Sequence, residues 1–214
     1  MRAQLYLIRH GKTSGNLQRR YVGVTDEPLC TEAIRELEAF RVCLKRRFAM
    51  EELAMPEYFF VSPMLRCRQS AALLLADAKP CVIEDFREMD FGEFEYKNYD
   101  ELAGDKRYQA FIDSGGRLDF PGAETREHFC GRVKRAFERC AARIFDNVEA
   151  SMADGPEKPY LFCVHGGTIM AILDAYSAPH RDYFEWQVPN ASGFCGVLEM
   201  ENNGIYLKNI EKLS

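Results

Sequence analysis

The chain has 214 residues, of which 47% are hydrophobic and 12% aromatic, so it can bury a sizeable core and is not compositionally disordered. The formal net charge of −5 argues against a general role on nucleic acids or membrane surfaces, so an anionic ligand needs a local cationic pocket. The sequence shows neither an apolar run of membrane-spanning length nor a secretory signal pattern, and we expect a cytoplasmic protein.

Short apolar runs alternate with segments of helical periodicity along the chain. In chain order, the sequence predicts a strand at 4–8, a helix at 31–48, a strand at 58–61, a helix at 64–78, a strand at 81–84, a helix at 125–148, a strand at 159–164, a helix at 166–176, and a hairpin of 193–200 and 205–210 around Asn202-Asn203-Gly204. This order is typical of an α/β fold with a mostly parallel sheet.

Apolar residues three or four positions apart predict which helix faces are buried. The residues expected on these faces are Ile34, Leu37, Phe40 and Leu44 in the first helix, Leu65, Ala72 and Leu75 in the second, and Phe129, Val133, Phe137, Cys140 and Ile144 in the third. Basic residues of the third helix are expected on its solvated side: Arg132, Lys134, Arg135, Arg139 and Arg143.

Residues 86–122 do not fit this alternation. They are rich in aromatic residues and contain Ser114-Gly115-Gly116 and Pro121-Gly122. Connections of this length are usually functional or disordered, and the aromatic content argues against disorder. We interpret the segment as a cap inserted over the ligand edge of the sheet; the alternative is an ordinary connection with its own small hydrophobic cluster.

Polar motifs follow three of the predicted strands. They are Arg9-His10-Gly11, Ser62-Pro63-Met64-Leu65-Arg66 and His165-Gly166-Gly167. Ser62 and Pro63 are expected to start the next helix and to place Arg66 in its first turn. The carboxyl ends of parallel strands in an open sheet form the ligand edge. A single histidine or arginine there would usually be structural, but two of each indicate chemistry on a phosphate.

Other features of the sequence are interpreted as structural. The eight cysteines are scattered without a CxxC pair, so reduced, buried thiols are favoured over a zinc site or a disulfide framework. We expect no metal and no cofactor. His128 and His180 do not follow strands and are expected at the surface or beside the site.

The chain resembles the histidine phosphatase superfamily, also called the phosphoglycerate mutase-like family, over nearly its whole length. The matching motifs, in the family's order, are Arg9-His10-Gly11 with Thr13 and Asn16, Gly23-x-x-Asp26-x-Pro28-Leu29, Ser62-Pro63-x-x-Arg66-x-x-Gln69, Glu88-Met89-Asp90-Phe91-Gly92-Glu93, and His165-Gly166-Gly167. The resemblance implies a single domain over residues 1–214. It also implies a three-layer αβα sandwich with a mostly parallel central sheet and a small inserted cap at about 86–122.

The resemblance also implies a chemistry without a metal. His10 would carry a phosphohistidine intermediate and Glu88 would be the proton donor. The implied phosphate- or substrate-binding residues are Arg9, Asn16, Arg66, His165 and Gly166. Ala33 and Tyr96 depart from the family pattern, since relatives often carry glycine at both positions.

Phosphoryl transfer depends mainly on positioning and charge stabilisation, which these residue types supply. Arg9 and Arg66 can hold phosphate oxygens through planar N–H forks and keep His10 unprotonated. Glu88 can protonate the leaving alkoxide and later activate water. Spacing alone does not select Glu88 from its acidic neighbours Glu84, Asp85, Asp90, Glu93 and Glu95; the resemblance does.

Three functions remain open. The favoured one is a phosphomonoesterase acting on a small phosphorylated metabolite, such as α-ribazole 5′-phosphate of cobalamin biosynthesis, with Phe94, Tyr96 and Tyr99 of the cap accommodating a planar leaving group. The second is a mutase that returns the phosphoryl group to another hydroxyl, and the third a non-catalytic module that binds a phospholigand. We expect no nucleic-acid or membrane partner, and the sequence predicts no oligomeric state.

Overall fold

The computed structural model of the protein describes residues 1–56, 58–150, 157–201 and 204–213. Its strands are β1 (Arg2–Arg9), β2 (Tyr58–Val61), β3 (Lys79–Val82), β4 (Tyr160–Val164), β5 (Gly193–Glu201) and β6 (Gly204–Leu213). Its α-helices are α1 (Ser14–Leu17), α2 (Thr31–Met50), α3 (Leu65–Leu74), α4 (Tyr99–Leu102), α5 (Lys106–Asp113), α6 (Arg126–Ala150) and α7 (Gly166–Tyr176). Short 3₁₀ turns lie at Glu84–Phe86, Gly92–Phe94 and Tyr183–Trp186.

The strands form one six-stranded sheet in the order β3-β2-β4-β1-β5-β6. The first four strands in this order are parallel, while β5 and β6 add an antiparallel edge. Arg9 pairs with Val164 and Val61 pairs with Cys163 in register, so β1, β2 and β4 end at one edge of the sheet. The predicted mostly parallel sheet is confirmed, and its topology brings the three strand-end motifs together.

Side chains alternate between two cores on opposite faces of the sheet. Leu5 and Leu7 of β1 pack with α6 and α7, whereas Tyr6 and Ile8 pack with α2 and α3. Because successive residues of a strand point to opposite faces, one apolar strand serves both cores. The protein is therefore a three-layer αβα sandwich, as predicted.

Several predicted details are wrong. Ile34 is 39% exposed and Ala33 takes its buried place, because the buried stripe of α2 runs through Ala33, Leu37, Phe40, Leu44 and Phe48. Ala72 is also exposed, since the buried residues of α3 lie on another side of that helix.

Element boundaries also shift from the prediction. Helix α3 stops at Leu74 rather than 78, and β3 covers Lys79–Val82 rather than 81–84. The closing hairpin is confirmed as β5 and β6, while Asn202 and Asn203 of its turn lie outside the described residues.

Residues 86–122 have a hydrophobic cluster of their own. Phe94, Leu102, Tyr108 and Phe120 are buried together, and Tyr21 from the main body packs against them. Tyr96, in the same segment, has φ +58°, a left-handed conformation that glycine adopts without steric cost. This backbone explains why relatives can carry glycine at that position.

Each of the eight cysteines is a free thiol; Cys67, Cys140, Cys163 and Cys195 are buried, whereas Cys43 is exposed, contrary to the expectation of burial. Within the described ranges, no helix is long and apolar enough to cross a membrane.

Candidate active site

His10 lies directly after β1 and is only 3% exposed. Its backbone N–H donates to the carbonyl of Val164 at 3.0 Å, which fixes it beside the end of β4. The ring Nδ1 lies 2.7 Å from the carbonyl oxygen of Gly11, an acceptor, so Nδ1 carries the proton. Nε2 is then the ring nitrogen with a free lone pair, which is what a nucleophile requires.

His165 follows β4 and is fully buried beside His10, with ring centroids 5.1 Å apart. Its Nε2 lies 2.7 Å from Ser62 Oγ. Ser62 was expected to cap the next helix, but Met64 is the N-cap residue and makes no side-chain capping bond. The prediction was wrong because the Ser62 hydroxyl bonds the second histidine instead. If that hydroxyl donates to Nε2, Nδ1 of His165 carries the donor proton.

Arg9 and Arg66 lie close to the two histidines with their guanidinium groups anchored on the backbone. Arg9 Nη1 donates to Val188 O at 2.7 Å. Arg66, in the first turn of α3 as predicted, donates through Nη1 to Thr25 O at 2.7 Å and through Nη2 to Gly23 O at 2.8 Å. Carbonyl acceptors hold the guanidinium groups in place without neutralising their charge.

Each of these two arginines keeps a buried donor without a protein acceptor. Among the described residues, the Nε atoms of Arg9 and Arg66 are buried and make no hydrogen bond. Buried polar groups are nearly always hydrogen-bonded, so two orphaned N–H groups beside two histidines indicate a place for an anion. Gly166 lies against Arg9, where an added Cβ would be 3.4 Å from Arg9 Nε.

Glu88 is brought to the same site from the segment after β3. Its Oε2 accepts from the backbone N–H of Gly167 at 3.0 Å, and its Oε1 accepts from Met89 N at 2.9 Å. A Cβ at position 167 would overlap Glu88 Oε1, so only glycine leaves room for this carboxyl. The sequence-predicted residues His10, Arg9, Arg66, Glu88, His165 and Gly166 are thus brought to one edge of the sheet.

Burial and charge change the protonation of the three titratable groups in the site. Burial, followed by the charges of Arg66 and Arg9, lowers the pKa of His10 well below 6.5. Burial and then Arg66 lower the pKa of His165 well below 6.5 as well. Burial raises the pKa of Glu88 above 4.5, although two backbone N–H groups and both arginines oppose this. The site therefore favours neutral imidazoles beside a carboxyl that retains its proton to higher pH.

Asn16, an implied phosphate- or substrate-binding residue, is linked to His10 through the side-chain amide of Asn190. Its Oδ1 accepts from Thr13 N at 3.2 Å and from Asn190 Nδ2 at 3.3 Å. Asn190 Nδ2 also donates to His10 O at 3.1 Å. Asn190 was missed by the sequence analysis because it belongs to no motif and precedes the antiparallel strand β5.

Arg132 on α6 was expected on the solvated side of its helix, and this was wrong. Its side chain is 14% exposed, and its guanidinium donates through Nη1 to Asp85 O at 2.7 Å and Arg87 O at 2.8 Å. Through Nη2 it donates to Glu88 O at 3.1 Å, and it forms an ion pair with Glu124. Arg132 therefore fixes the loop that carries Glu88.

A cavity of about 290 Å³ lies next to Glu88 and Gly167 and is lined partly by other residues of the 86–122 segment. Its aromatic lining residues are Tyr21, Phe91, Phe111, Phe120, Tyr183 and Phe184. The residues expected to meet a planar group lie elsewhere. Phe94 is buried inside the 86–122 segment, Tyr96 donates to Glu27 Oε2 at 3.1 Å, and Tyr99 is 63% exposed.

The family model of the histidine phosphatase superfamily (branch 1) matches residues 5–212. The chain belongs to this superfamily. Among curated relatives, this superfamily member is 31% identical over 142 residues to the probable phosphoglycerate mutase GpmB of Escherichia coli O1:K1 / APEC, covering 64% of this chain and 62% of the relative. The match thus spans less than two thirds of the length of that relative.

Solved structures of other proteins have the same fold as this chain. A putative alpha-ribazole-5′-P phosphatase from Escherichia coli K-12 is 19% identical with a TM-score of 0.70, covering 99% of this chain and 96% of the other. The alpha-ribazole phosphatase of Shigella flexneri is 21% identical with a TM-score of 0.70, covering 98% and 95%. A phosphoglycerate mutase from Thermus thermophilus is 25% identical with a TM-score of 0.65, covering 99% and 98%.

The described residues contain no group of three or more His, Cys, Asp or Glu side chains that could hold a metal ion. His128 is exposed and bonds to Glu124, and His180 is also exposed; neither joins the site.

Proposed function

We propose that this superfamily member is a phosphatase that hydrolyses a small phosphate monoester through a phosphohistidine on His10. The observation that carries the proposal is the combination of an unprotonated Nε2 on a buried His10 with the orphaned N–H groups of Arg9 and Arg66. A phosphate would satisfy both donors and lie beside the nucleophile. The superfamily membership supports this reaction class.

In the first step the Nε2 lone pair of His10 forms a bond to phosphorus as the bond to the ester oxygen breaks. Arg9 and Arg66 hold the nonbridging oxygens, and His165 donates a hydrogen bond to them as a neutral imidazole. Glu88 gives its proton to the departing oxygen, which leaves as a neutral alcohol. Burial raises the pKa of Glu88, which favours the protonated carboxyl that this step requires.

In the second step water replaces the alcohol. The Glu88 carboxylate takes a proton from water as the water oxygen bonds to phosphorus. The bond between phosphorus and nitrogen breaks, and its electron pair returns to Nε2 of His10. Inorganic phosphate leaves, and Glu88 is again protonated, so the residues end as they began.

The cavity next to Glu88 supports a phosphatase with an aromatic or apolar leaving group. A leaving group bound in this cavity would meet mainly rings such as Phe91, Phe111 and Tyr183. An α-ribazole 5′-phosphate substrate, and with it a place in cobalamin biosynthesis, fits this lining. Two structural neighbours of the chain are named as alpha-ribazole phosphatases. Phosphoglycerate mutase remains the second candidate because the curated relatives and another structural neighbour carry that name.

The test measures phosphate release and the phosphoenzyme in the same samples. Wild type, His10→Ala and His128→Ala are incubated with α-ribazole 5′-phosphate, 4-nitrophenyl phosphate and 3-phosphoglycerate. We expect wild type and His128→Ala to release phosphate and form an acid-labile phosphoenzyme. His10→Ala should lose about 10³-fold or more in kcat and form no phosphoenzyme. His128→Ala is the matched control because that histidine is exposed.

Each other outcome points to a different function. Phosphate release that persists in His10→Ala contradicts the phosphohistidine. Conversion of 3-phosphoglycerate to 2-phosphoglycerate with little release identifies a mutase, and phosphate binding without turnover of any ester identifies a binding module. The lack of a metal requirement, the cytoplasmic location and the absence of nucleic-acid or membrane partners stay predictions.

A further inference from the structure

The cavity beside Glu88 contains a cation that the proposed phosphoryl transfer does not use. Arg126, the first residue of α6, lines the cavity together with Glu88 and Gly167. Glu88 is placed to protonate the ester oxygen, so the group attached to that oxygen would occupy the cavity. Arg126 therefore faces the leaving group rather than the phosphate.

The guanidinium of Arg126 is held by aromatic faces and not by an acid. Its Cζ lies 5.5 Å from the ring centroid of Tyr183 and 5.1 Å from that of Phe184. Such contacts orient a guanidinium through its face and leave the N–H groups at its edge free. Across the part of the chain that the structure describes, no carboxylate forms an ion pair with Arg126.

Three other arginines at or beside the site have hydrogen-bond or ion-pair partners. Arg9 and Arg66 donate to backbone carbonyls, and Arg132 is paired with Glu124. Asp119 also lines the cavity, but its Oδ1 accepts from the backbone N–H of Arg126 at 2.8 Å and not from the side chain. The half-buried Arg126 side chain thus keeps its donors for something that enters the cavity.

We propose that Arg126 is a specificity-determining residue that binds an anionic oxygen group, such as a carboxylate, on the leaving group of the substrate. This inference rests on the proposed function, because it takes the cavity to hold the leaving group. The substrate class is then a phosphate monoester with an apolar or aromatic body and an acidic group at its far end, which distinguishes it from α-ribazole 5′-phosphate, whose leaving group is uncharged. The rings bind the body, and Arg126 selects the acidic group.

The test uses two phosphonates that cannot be hydrolysed, benzylphosphonate and 4-carboxybenzylphosphonate, and measures Kd by calorimetry. We expect wild type to bind the carboxylated ligand about tenfold or more tightly than the plain one. Arg126→Met should lose this preference while its Kd for benzylphosphonate stays within about twofold, because methionine still packs on the rings. Arg126→Lys should keep part of the preference.

Arg135→Met is the matched control, since Arg135 is an exposed arginine on the same helix and does not line the cavity. It should behave as wild type, and thermal unfolding of all variants establishes that they fold. An equal preference in wild type and Arg126→Met, or no preference in wild type, overturns the inference. Turnover of phenyl phosphate by wild type tests the proposed function separately, because the phosphonate measurement requires no catalysis.

Discussion

At the scale of single residues, burial decides which protonation states the candidate site can use. Glu88 is 9% exposed, and this burial raises its pKa against two N–H donors and two arginines. The same surroundings lower the pKa of His10 well below 6.5. These opposite shifts bring the protonated acid and the unprotonated nucleophile toward a common pH range, which separate groups in water do not share.

The protonation state of Glu88 is therefore expected to set an upper pH limit on activity. As pH rises through the raised pKa of Glu88, the acid form is lost and kcat/KM for an alkyl phosphate falls. On the acid side, activity should persist below pH 6.5, because the lowered pKa of His10 keeps the imidazole neutral there. Glu88→Gln should lose the alkaline limit and about 10²- to 10⁴-fold in rate on alkyl phosphates.

The measurement is a pH profile of kcat/KM for an alkyl phosphate and for 4-nitrophenyl phosphate. The nitrophenyl ester should suffer far less from Glu88→Gln, since its leaving group needs little protonation. Equal losses on both esters, or an unchanged alkaline limit in Glu88→Gln, would show that another group is the acid.

At the scale of elements, α6 contributes to the site although it does not directly follow a strand of the sheet. Three backbone carbonyls between Asp85 and Glu88 converge on the Arg132 guanidinium. Arg139, seven residues further along the same helix, bonds instead to the Asp85 side chain and is 61% exposed. One arginine fixes the backbone of the acid-bearing loop, and the other makes a surface ion pair.

We therefore expect Arg132→Met to lower kcat on an alkyl phosphate by about tenfold or more, because Glu88 loses its fixed position. The loss should be smaller on 4-nitrophenyl phosphate, and the alkaline limit of the pH profile should shift, which a purely structural role would not cause. Arg132→Lys should restore part of the rate. Arg139→Met is the control and should stay within about twofold of wild type; equal effects at both positions would refute the positioning role.

How far the sequence could predict each residue of the site depends on where that residue lies in the fold. His10, Arg66 and His165 were predictable because apolar strands are recognisable, and parallel strands bring the residues at their carboxyl ends to one edge. Glu88 comes after a short edge strand among other acids, so its selection needed the family resemblance. Arg132 was not predictable, since its partners are carbonyl oxygens more than 40 residues away along the chain.

Prediction from the sequence was limited in the same way for residues 86–122. The segment was interpreted as a cap, and a hydrophobic cluster of its own was part of the alternative; neither interpretation indicated which rings face the cavity. Phe94 packs inward while Phe91 and Phe111 line the cavity, and Tyr183 and Phe184 come from a different part of the chain. Phe91 and Phe120 lie outside helices and strands, where a sequence carries no periodic signal for the direction in which a ring points.

At the scale of the whole molecule, the site is held between two cores, and its buried histidines couple folding to pH. In the folded protein burial lowers the pKa of both His10 and His165 below 6.5. Below pH 6.5 the unfolded chain therefore binds protons that the folded chain does not, and stability falls as pH falls. Glu88 has the opposite effect: burial raises its pKa in the folded state, so above pH 4.5 its contribution to stability falls as pH rises.

Each buried histidine should contribute a slope to the free energy of unfolding that approaches about 1.4 kcal/mol per pH unit roughly one unit below pH 6.5, where the unfolded chain is almost fully protonated at that position. Replacing one of them removes its share, so His165→Asn should have a slope shallower by about that amount. The slope is measured by urea unfolding at several pH values between 5 and 6.5. His180→Gln is the matched control, because the His180 side chain is 62% exposed and lies outside the site. A His165→Asn slope equal to that of wild type would mean that His165 takes up a proton in the folded protein, and the neutral donor assigned to it would be wrong.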